Sequence, residues 1–285
     1  MKSGVVGAGM MGTEIALVFA LAGFEVVLCD LDQAALDRAM KRIDTLVDRH
    51  TAGGAAKETK QQVLARLSAS IDLASVGHCG LVTEAVFEDV EVKTGVLRKL
   101  DEICASDCIL ASNTSTLPIS TLSAAVSRDR RPQFLGTHYF SPVSRMALVE
   151  VVPGFDTAEE VVAEVVNLMN AIGKTPVRVK DVPGFAVNRM LHALLIEAVK
   201  LVEEGVATPE DLDTACRLGL GYPVGPFALM DFVTASLTLQ VQDILQDAYG
   251  ERFRPPALLK QRVAAGYTGG RGNRGWLSGN GEVRR

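Results

Sequence analysis

Cysteine and histidine are both sparse in this chain, and neither is arranged for metal or disulfide chemistry. The five cysteines (Cys29, Cys79, Cys104, Cys108, Cys216) are an odd set with no C-x-x-C spacing. That pattern argues against a disulfide framework or a zinc site, and for reduced, mostly buried thiols. The four histidines (His50, His78, His138, His192) contain no H-x-x-x-H pair, so metal-free chemistry is expected. An excess of basic residues is also missing. The formal net charge is −5 with Lys and Arg scattered along the chain, whereas a nucleic-acid partner calls for a basic stripe. No apolar run approaches the roughly 20 residues of a membrane span. The opening "MKSGVVGAGMMG" already reads as strand and turn, which leaves no room for a targeting peptide, so a cytoplasm-like compartment is expected.

What is present is a globular pattern: 285 residues, 48% hydrophobic, without an internal repeat. Apolar runs at Gly4 to Val6, Glu25 to Cys29, Leu81 to Thr83, Cys108 to Ala111, Phe134 to Thr137, Leu148 to Val152 and Pro176 to Val179 read as strands. Helical patterns at Met11 to Ala22, Gln33 to Asp48, Lys57 to Leu67 and Val90 to Ile103 alternate with the early ones. Another, Thr157 to Ile172, has Thr157 as candidate N-cap with Glu160 three residues on. The alternation predicts an α/β fold, a Rossmann-type doubly wound parallel sheet, over residues 1–181. After "KDVPGF" strand patterns give way to helices at Ala186 to Glu204, Pro209 to Leu218, Phe227 to Tyr249 and Ala257 to Ala265, a smaller all-helical domain over 182–285. The tail "GYTGGRGNRGWLSGNGEVRR" reads by composition as loop or disordered end.

The first strand runs into G-x-G-x-x-G, spelled Gly7, Ala8, Gly9, Met10, Met11, Gly12, with Asp30 closing the next strand. Gly7 permits the tight turn, Gly9 lets backbone approach a pyrophosphate, and Gly12 lets the helix lie against the strand. The helix then offers unpaired N–H groups and a positive dipole end. Asp30 can accept hydrogen bonds from a ribose 2′-OH and would repel a 2′-phosphate. No Arg follows it directly, so NAD is favoured over NADP.

A second group of polar residues, "ASNTSTLPIS", follows a strand that should end on the same edge of the sheet. Ser112, Asn113, Thr114, Ser115 and Thr116 could form an ordinary turn. In "THYFSPVSRMALVEVV", His138 closes an apolar run as a strand would end, and Glu150 lies in the next β-rich run. Taken with "VKDVPGFAVNRML" and "GYPVGPFALMDFV", these segments resemble the L-3-hydroxyacyl-CoA dehydrogenase family, from Val5 to about Trp276.

The resemblance implies Ser115, His138, Glu150 and Asn188 as catalytic residues. When hydride leaves C3 of a 3-hydroxyacyl group, the hydroxyl proton needs an acceptor, and a neutral imidazole is matched to that task near pH 7. His138 is that base, Glu150 holds its other ring nitrogen, and Ser115 and Asn188 orient the substrate oxygens. The resemblance further implies cofactor contacts at Glu88, Lys93, Ser115 and the backbone of Ala85, although a solvated helix start is the plain reading of Glu88 and Lys93. Two departures stand out. "GGRGNRGWL" puts Arg271 where the family often has a lysine, and "HYFSPV" puts Ser141 at the position of an asparagine in a cofactor amide contact. Arg42, Arg49, Lys57 and Lys60 could pair with CoA phosphates but read first as a charged helix face.

The expected protein is an NAD-dependent dehydrogenase of (S)-3-hydroxyacyl-CoA with its site in the cleft between two domains. Its expected partners are an acyl-CoA substrate and a second copy joined through the helical domain. A dehydrogenase of related build acting on a free hydroxy acid is the enzymatic alternative, but relatives of the 6-phosphogluconate type place a lysine where chemistry occurs and "PGFAVNR" has none. An NADH-sensing binding protein is the alternative of another class. It would need no such set of four residues. His192 shares a helix face with Asn188 but has no carboxylate in sight, so helix packing is expected of it.

Overall fold

The computed structural model describes residues 2–52 and 58–277. β1 (Lys2–Val6), α1 (Met10–Leu21), β2 (Glu25–Cys29), α2 (Gln33–Ala52), α3 (Lys60–Leu64) and β3 (Leu67–Ser70) come first. They are followed by β4 (Leu81–Glu84), α4 (Val90–Ile103), β5 (Ile109–Ser112), α5 (Ile119–Ser123), β6 (Phe134–Tyr139), β7 (Leu148–Pro153), α6 (Glu159–Ala171) and β8 (Thr175–Arg178). The strands form one sheet in the order β3-β2-β1-β4-β5-β6-β7-β8. This Rossmann-like order reverses direction on either side of β1, so β1 and β4 diverge at the carboxyl edge and leave a crevice there.

Both faces of the sheet are covered, and alternation along the strands shows why. Val5, Leu28, Ile109, Ala111, Leu135, Val149 and Val151 enter one core with α1, α2 and α6. Their neighbours Val6, Val27, Cys29, Leu110, Phe134 and Val152 enter a second core with α4 and α5. Near-continuous apolar strands are what a doubly covered sheet requires.

The expected parallel sheet is present with one exception: β6 and β7 run antiparallel, while all other neighbours are parallel. A parallel crossover needs about a dozen residues or more. The segment 140–147 is too short for one, so the chain turns back. Other expectations fail locally. Thr157 does not cap α6. Its hydroxyl donates to the Phe134 carbonyl (2.6 Å) and accepts the Gly154 N–H (2.8 Å), and Ala158 takes the cap position. The helix expected from Lys57 begins only at Lys60, behind a Thr59/Gln62 capping box, and its far end is the start of β3. Lys57 itself lies outside the described residues.

The chain divides into two compact units, Met1–Phe185 and Ala186–Arg285. Residues 182–185 go with the first because the Asp181 carboxylate accepts the N–H groups of Ile119 and Ser120 (2.7 Å each) and Phe185 packs into the second sheet core. The second unit comprises α7 (Val187–Glu203), α8 (Pro209–Gly219), α9 (Pro226–Val233), α10 (Ala235–Tyr249) and α11 (Ala257–Ala264), around Leu195, Val199, Phe227, Met230, Leu259 and Trp276. The single helix expected over Phe227 to Tyr249 is two, broken at Thr234 (φ 83°), whose hydroxyl accepts the Leu237 N–H at 3.2 Å. The tail is ordered as far as it is described, because the Asp231 carboxylate accepts the N–H groups of Trp276 (2.7 Å) and Leu277 (3.1 Å). The rest of the tail lies outside the described residues. Among those residues no helix is long and apolar enough to cross a membrane.

Candidate active site

The glycine turn is shaped by close approach. Gly7 has φ 105°, and a Cβ there would stand 2.6 Å from the Ala85 carbonyl oxygen; one on Gly12 would meet the Gly7 oxygen at 1.9 Å. Above Gly9 there is open space, with no atom within 4 Å of a Cβ position, which is the room a pyrophosphate needs beside a helix terminus. Gly9 is also the N-cap of α1, with no side chain bonded over the helix end. The Asp30 carboxylate accepts the Ala8 N–H (2.7 Å) and the Asp32 N–H (3.0 Å), which pins the turn to the end of β2. These residues fit a dinucleotide: Gly7 to Gly12 with the Ala85 backbone would hold its phosphates, and Asp30 would meet a ribose hydroxyl. Leu31 and Phe87, both strongly exposed apolar side chains beside Asp30 and Glu84, border the same edge. An apolar residue a short way past a strand end is the one trace they leave in the sequence.

The second centre follows from the reversal at β7. Antiparallel pairing sets His138 of β6 directly opposite Glu150 of β7, so both side chains leave the same face. Nδ1 of His138 is 2.7 Å from a Glu150 carboxylate oxygen, and Nε2 is 3.1 Å from Ser115 Oγ. His138 and Glu150 are 4% and 1% exposed. Phe140 and Phe185 pack on the imidazole with ring centroids at 4.6 and 5.6 Å. Phe185 holds a positive φ of 45°, a conformation that a bulky residue keeps only where its surroundings demand it. His138 lies inside its strand, which runs on to Tyr139, and not at the strand end as expected.

Ser115 is held by a charge network that begins on β4. Glu84, fully buried, accepts the Lys93 ammonium (2.8 Å), the Ser112 hydroxyl (2.7 Å) and the Val86 N–H (2.7 Å). Lys93 also lies 3.3 Å from Glu88. One oxygen of Glu88 collects the Thr114 hydroxyl (2.6 Å), the Ser115 N–H (2.8 Å), and the Thr116 N–H and hydroxyl (2.9 and 3.0 Å). Burial alone would raise the Glu88 carboxyl, but the Lys93 charge and these hydrogen bonds together hold it below the usual carboxylate range. The solvated helix start does not describe Lys93, which is 1% exposed. In this structure Glu88 spends a carboxylate oxygen on the Ser115 loop, and Lys93 spends its ammonium on Glu84, Glu88 and the Val86 carbonyl. Asn113 completes the frame by accepting the Tyr139 N–H at 2.9 Å, which ties the loop to β6.

Ser141, exposed, has its hydroxyl 3.8 Å from the sulfur of Met10, the first residue of α1. The structure therefore brings together Ser115, His138 and Glu150 in one cluster, and Gly7, Ala8, Gly9, Met10, Gly12, Asp30, Ala85 and Ser141 along one sheet edge. Met11 is half-buried and packs against the core on the α1 side of the sheet. In the second unit, Asn188 is in the first turn of α7 and half-buried, and Arg271 is exposed on a turn. His192 is 5% exposed, its Nδ1 has no hydrogen-bond partner, and burial lowers its pKa from 6.5 to about 4. His50 and His78 are exposed. All five cysteines are free, four of them buried. No group of three or more potential ligands among the described residues could hold a metal ion.

Comparison with known proteins agrees over the whole chain. The family model of the 3-hydroxyacyl-CoA dehydrogenase NAD binding domain matches residues 2–182, and that of the 3-hydroxyacyl-CoA dehydrogenase C-terminal domain matches residues 184–279. The chain is 39% identical to the probable 3-hydroxybutyryl-CoA dehydrogenase of Deinococcus radiodurans, over 97% of this chain and 99% of that one. It is 40% identical to the mitochondrial hydroxyacyl-coenzyme A dehydrogenase of Sus scrofa, covering 91% and 85% of the two chains. Among solved structures, the (S)-3-hydroxybutyryl-CoA dehydrogenase of Ralstonia eutropha superposes with a TM-score of 0.92 at 36% identity, over 97% and 98% of the chains.

Proposed function

The chain belongs to the 3-hydroxyacyl-CoA dehydrogenase family and is an NAD-dependent oxidoreductase, and from that premise we propose that it interconverts (S)-3-hydroxyacyl-CoA and 3-oxoacyl-CoA with His138 as the proton-handling group. One observation carries this reading: a buried imidazole stands between a carboxylate and a serine hydroxyl, with one ring nitrogen committed to each.

The roles follow from the geometry. Glu150 accepts the Nδ1 hydrogen, which leaves the Nε2 lone pair facing the side on which Ser115 lies. When bound, NAD supplies the hydride acceptor for C3. His138 Nε2 takes the proton of the 3-hydroxyl during oxidation and returns it during reduction. The imidazolium so formed is stabilised by the charge-assisted hydrogen bond to Glu150. Ser115 directs a neutral hydrogen bond at the substrate oxygen, and Asn188 keeps the orienting role that the resemblance implied. Phe140 and Phe185 keep water from the imidazole. Asp30 is assigned the ribose hydroxyls, Arg271 the place of the family lysine, and Ser141 the cofactor amide.

The helical unit is assigned pairing with a second copy. Leu218, Leu220, Tyr222 and Val224 expose a run of apolar side chains that a partner would remove from water. Five free thiols are in keeping with a reducing, cytoplasm-like compartment.

The test is NADH oxidation with acetoacetyl-CoA, beside NADPH and free acetoacetate. Rapid reaction with NADH that requires the CoA thioester supports the reading. Equal rates with free acetoacetate would favour the alternative, a hydroxy-acid dehydrogenase.

A further inference from the structure

Glu14 is the one acidic residue of α1, a helix that is otherwise apolar apart from Thr13. It lies one half-turn beyond Gly12 and is 1% exposed. A carboxylate withdrawn from water in this way is expensive unless both oxygens are engaged. One oxygen lies 2.5 Å from the Arg42 guanidinium on α2. The other accepts two hydrogen bonds from Ser144, the backbone N–H at 3.1 Å and the hydroxyl at 3.2 Å. These last bonds cross 130 positions of sequence, from the cofactor helix to the segment that follows His138.

The same segment is gripped a second time. Lys174, 8% exposed, points its ammonium at the carbonyl oxygens of Val143 and of Met146, the latter at 2.9 Å. The segment 141–147 thus has a backbone N–H held by an anion and two carbonyls held by a cation. Its first residue, Ser141, sits against Met10 at the head of α1. No apolar packing could fix both the distance and the register of a short, mostly exposed segment in this way, because exposed residues have too few neighbours to do it.

We propose that Glu14 is a positioning residue for the cofactor. Through Ser144, and together with Lys174, it holds the 141–147 segment at a set distance from the glycine turn, so that the two ends of a dinucleotide meet protein groups in one fixed spacing. The inference rests on the reading of Ser141 as a contact of the cofactor's amide end. It adds a residue of this chain, on α1 itself, that neither the glycine turn nor the His138 cluster includes.

Binding of NADH and of ADP-ribose, which lacks the nicotinamide, separates this role from a structural one. Glu14→Gln keeps the shape and one acceptor but removes the charge. It is expected to weaken NADH roughly tenfold, the worth of one charge-assisted hydrogen bond, and to leave ADP-ribose within about twofold. Ser144→Ala, which leaves the backbone N–H in place, is expected to show the same selectivity at smaller size. Loss of both ligands in equal measure would overturn the proposal, since it would mean that Glu14 serves the glycine turn or the fold at large. Unchanged NADH binding in both variants would overturn it as well. Ser141→Ala tests the reading beneath. Selective loss of NADH in that variant upholds the amide contact whatever Glu14 does, and wild-type affinity refutes that contact and with it the route proposed here.

Discussion

Two histidines of this protein are almost equally buried, His138 at 4% and His192 at 5% exposed, yet they are prepared for opposite fates. His138 is in the sheet unit, between Glu150 and Ser115. His192 is in the helical unit, with an unpartnered Nδ1 and a pKa lowered to about 4 by burial alone. Near neutral pH His192 is an uncharged packing group. Burial by itself leaves an imidazole inert, then, whereas on the proposed reading a placed carboxylate and hydroxyl make His138 the proton-handling group. What places them is backbone register: the antiparallel step at β6–β7 turns a spacing of twelve residues into a contact.

The contrast between the two imidazoles should collapse first at the carboxylate. Glu150→Gln keeps the volume but no longer favours the Nδ1–H tautomer or the imidazolium. Turnover in NADH oxidation is expected to fall roughly 10²- to 10⁴-fold with NADH affinity little changed, as when a buried acid that orients a catalytic histidine is neutralised. An effect below about threefold would return Glu150 to a packing role.

Next in size is the network behind Ser115. Lys93→Met leaves Glu84 buried without its cation and frees Glu88, so chemical denaturation should show a loss of about 3–5 kcal/mol, typical of breaking a buried pair from one side. Stability equal to wild type would mean that Lys93 is replaceable packing and that the Ser115 loop is held otherwise.

The smallest effect belongs to the inert imidazole. The folded pKa of His192 is about 4 and its ordinary value 6.5, so between those limits the unfolded chain binds the extra proton. The folded state is therefore unpenalised above about pH 6.5 and loses stability as pH falls toward 4, by at most about 3 kcal/mol. His192→Leu should flatten the stability curve across that window while activity at neutral pH stays within about twofold. An unchanged curve would show that His192 finds a partner in solution.

Much of the sheet unit is legible in the sequence itself. The glycine turn, the β-α alternation and the apolar strand runs are local patterns, and each is imposed by backbone geometry within a few residues. The His138 cluster is legible only through its resemblance, because nothing in "THYFSP" says which residue lies opposite it. Several things stay hidden for physical reasons. The antiparallel turn depends on the shortness of 140–147, a topological fact and not a periodic one. The break at Thr234 carries no glycine or proline, and a threonine at positive φ leaves no signal in the sequence. Glu14 and Ser144 are 130 residues apart, and Glu88 reads as a solvated acid until the Ser115 loop folds over it. Thr157 has the right identity for a cap, but its hydroxyl is taken by the carbonyl of Phe134.

Whether placement or burial makes the chemical histidine is decided by turnover with acetoacetyl-CoA and NADH in His138→Ala and His192→Leu, measured side by side with NADH affinity. We expect a fall of roughly 10² to 10⁴ for His138→Ala, near-wild-type turnover for His192→Leu, and nearly unchanged NADH binding in both. Wild-type turnover in His138→Ala, or an equal loss in the two variants, would contradict the assignment of His138 as the proton-handling group.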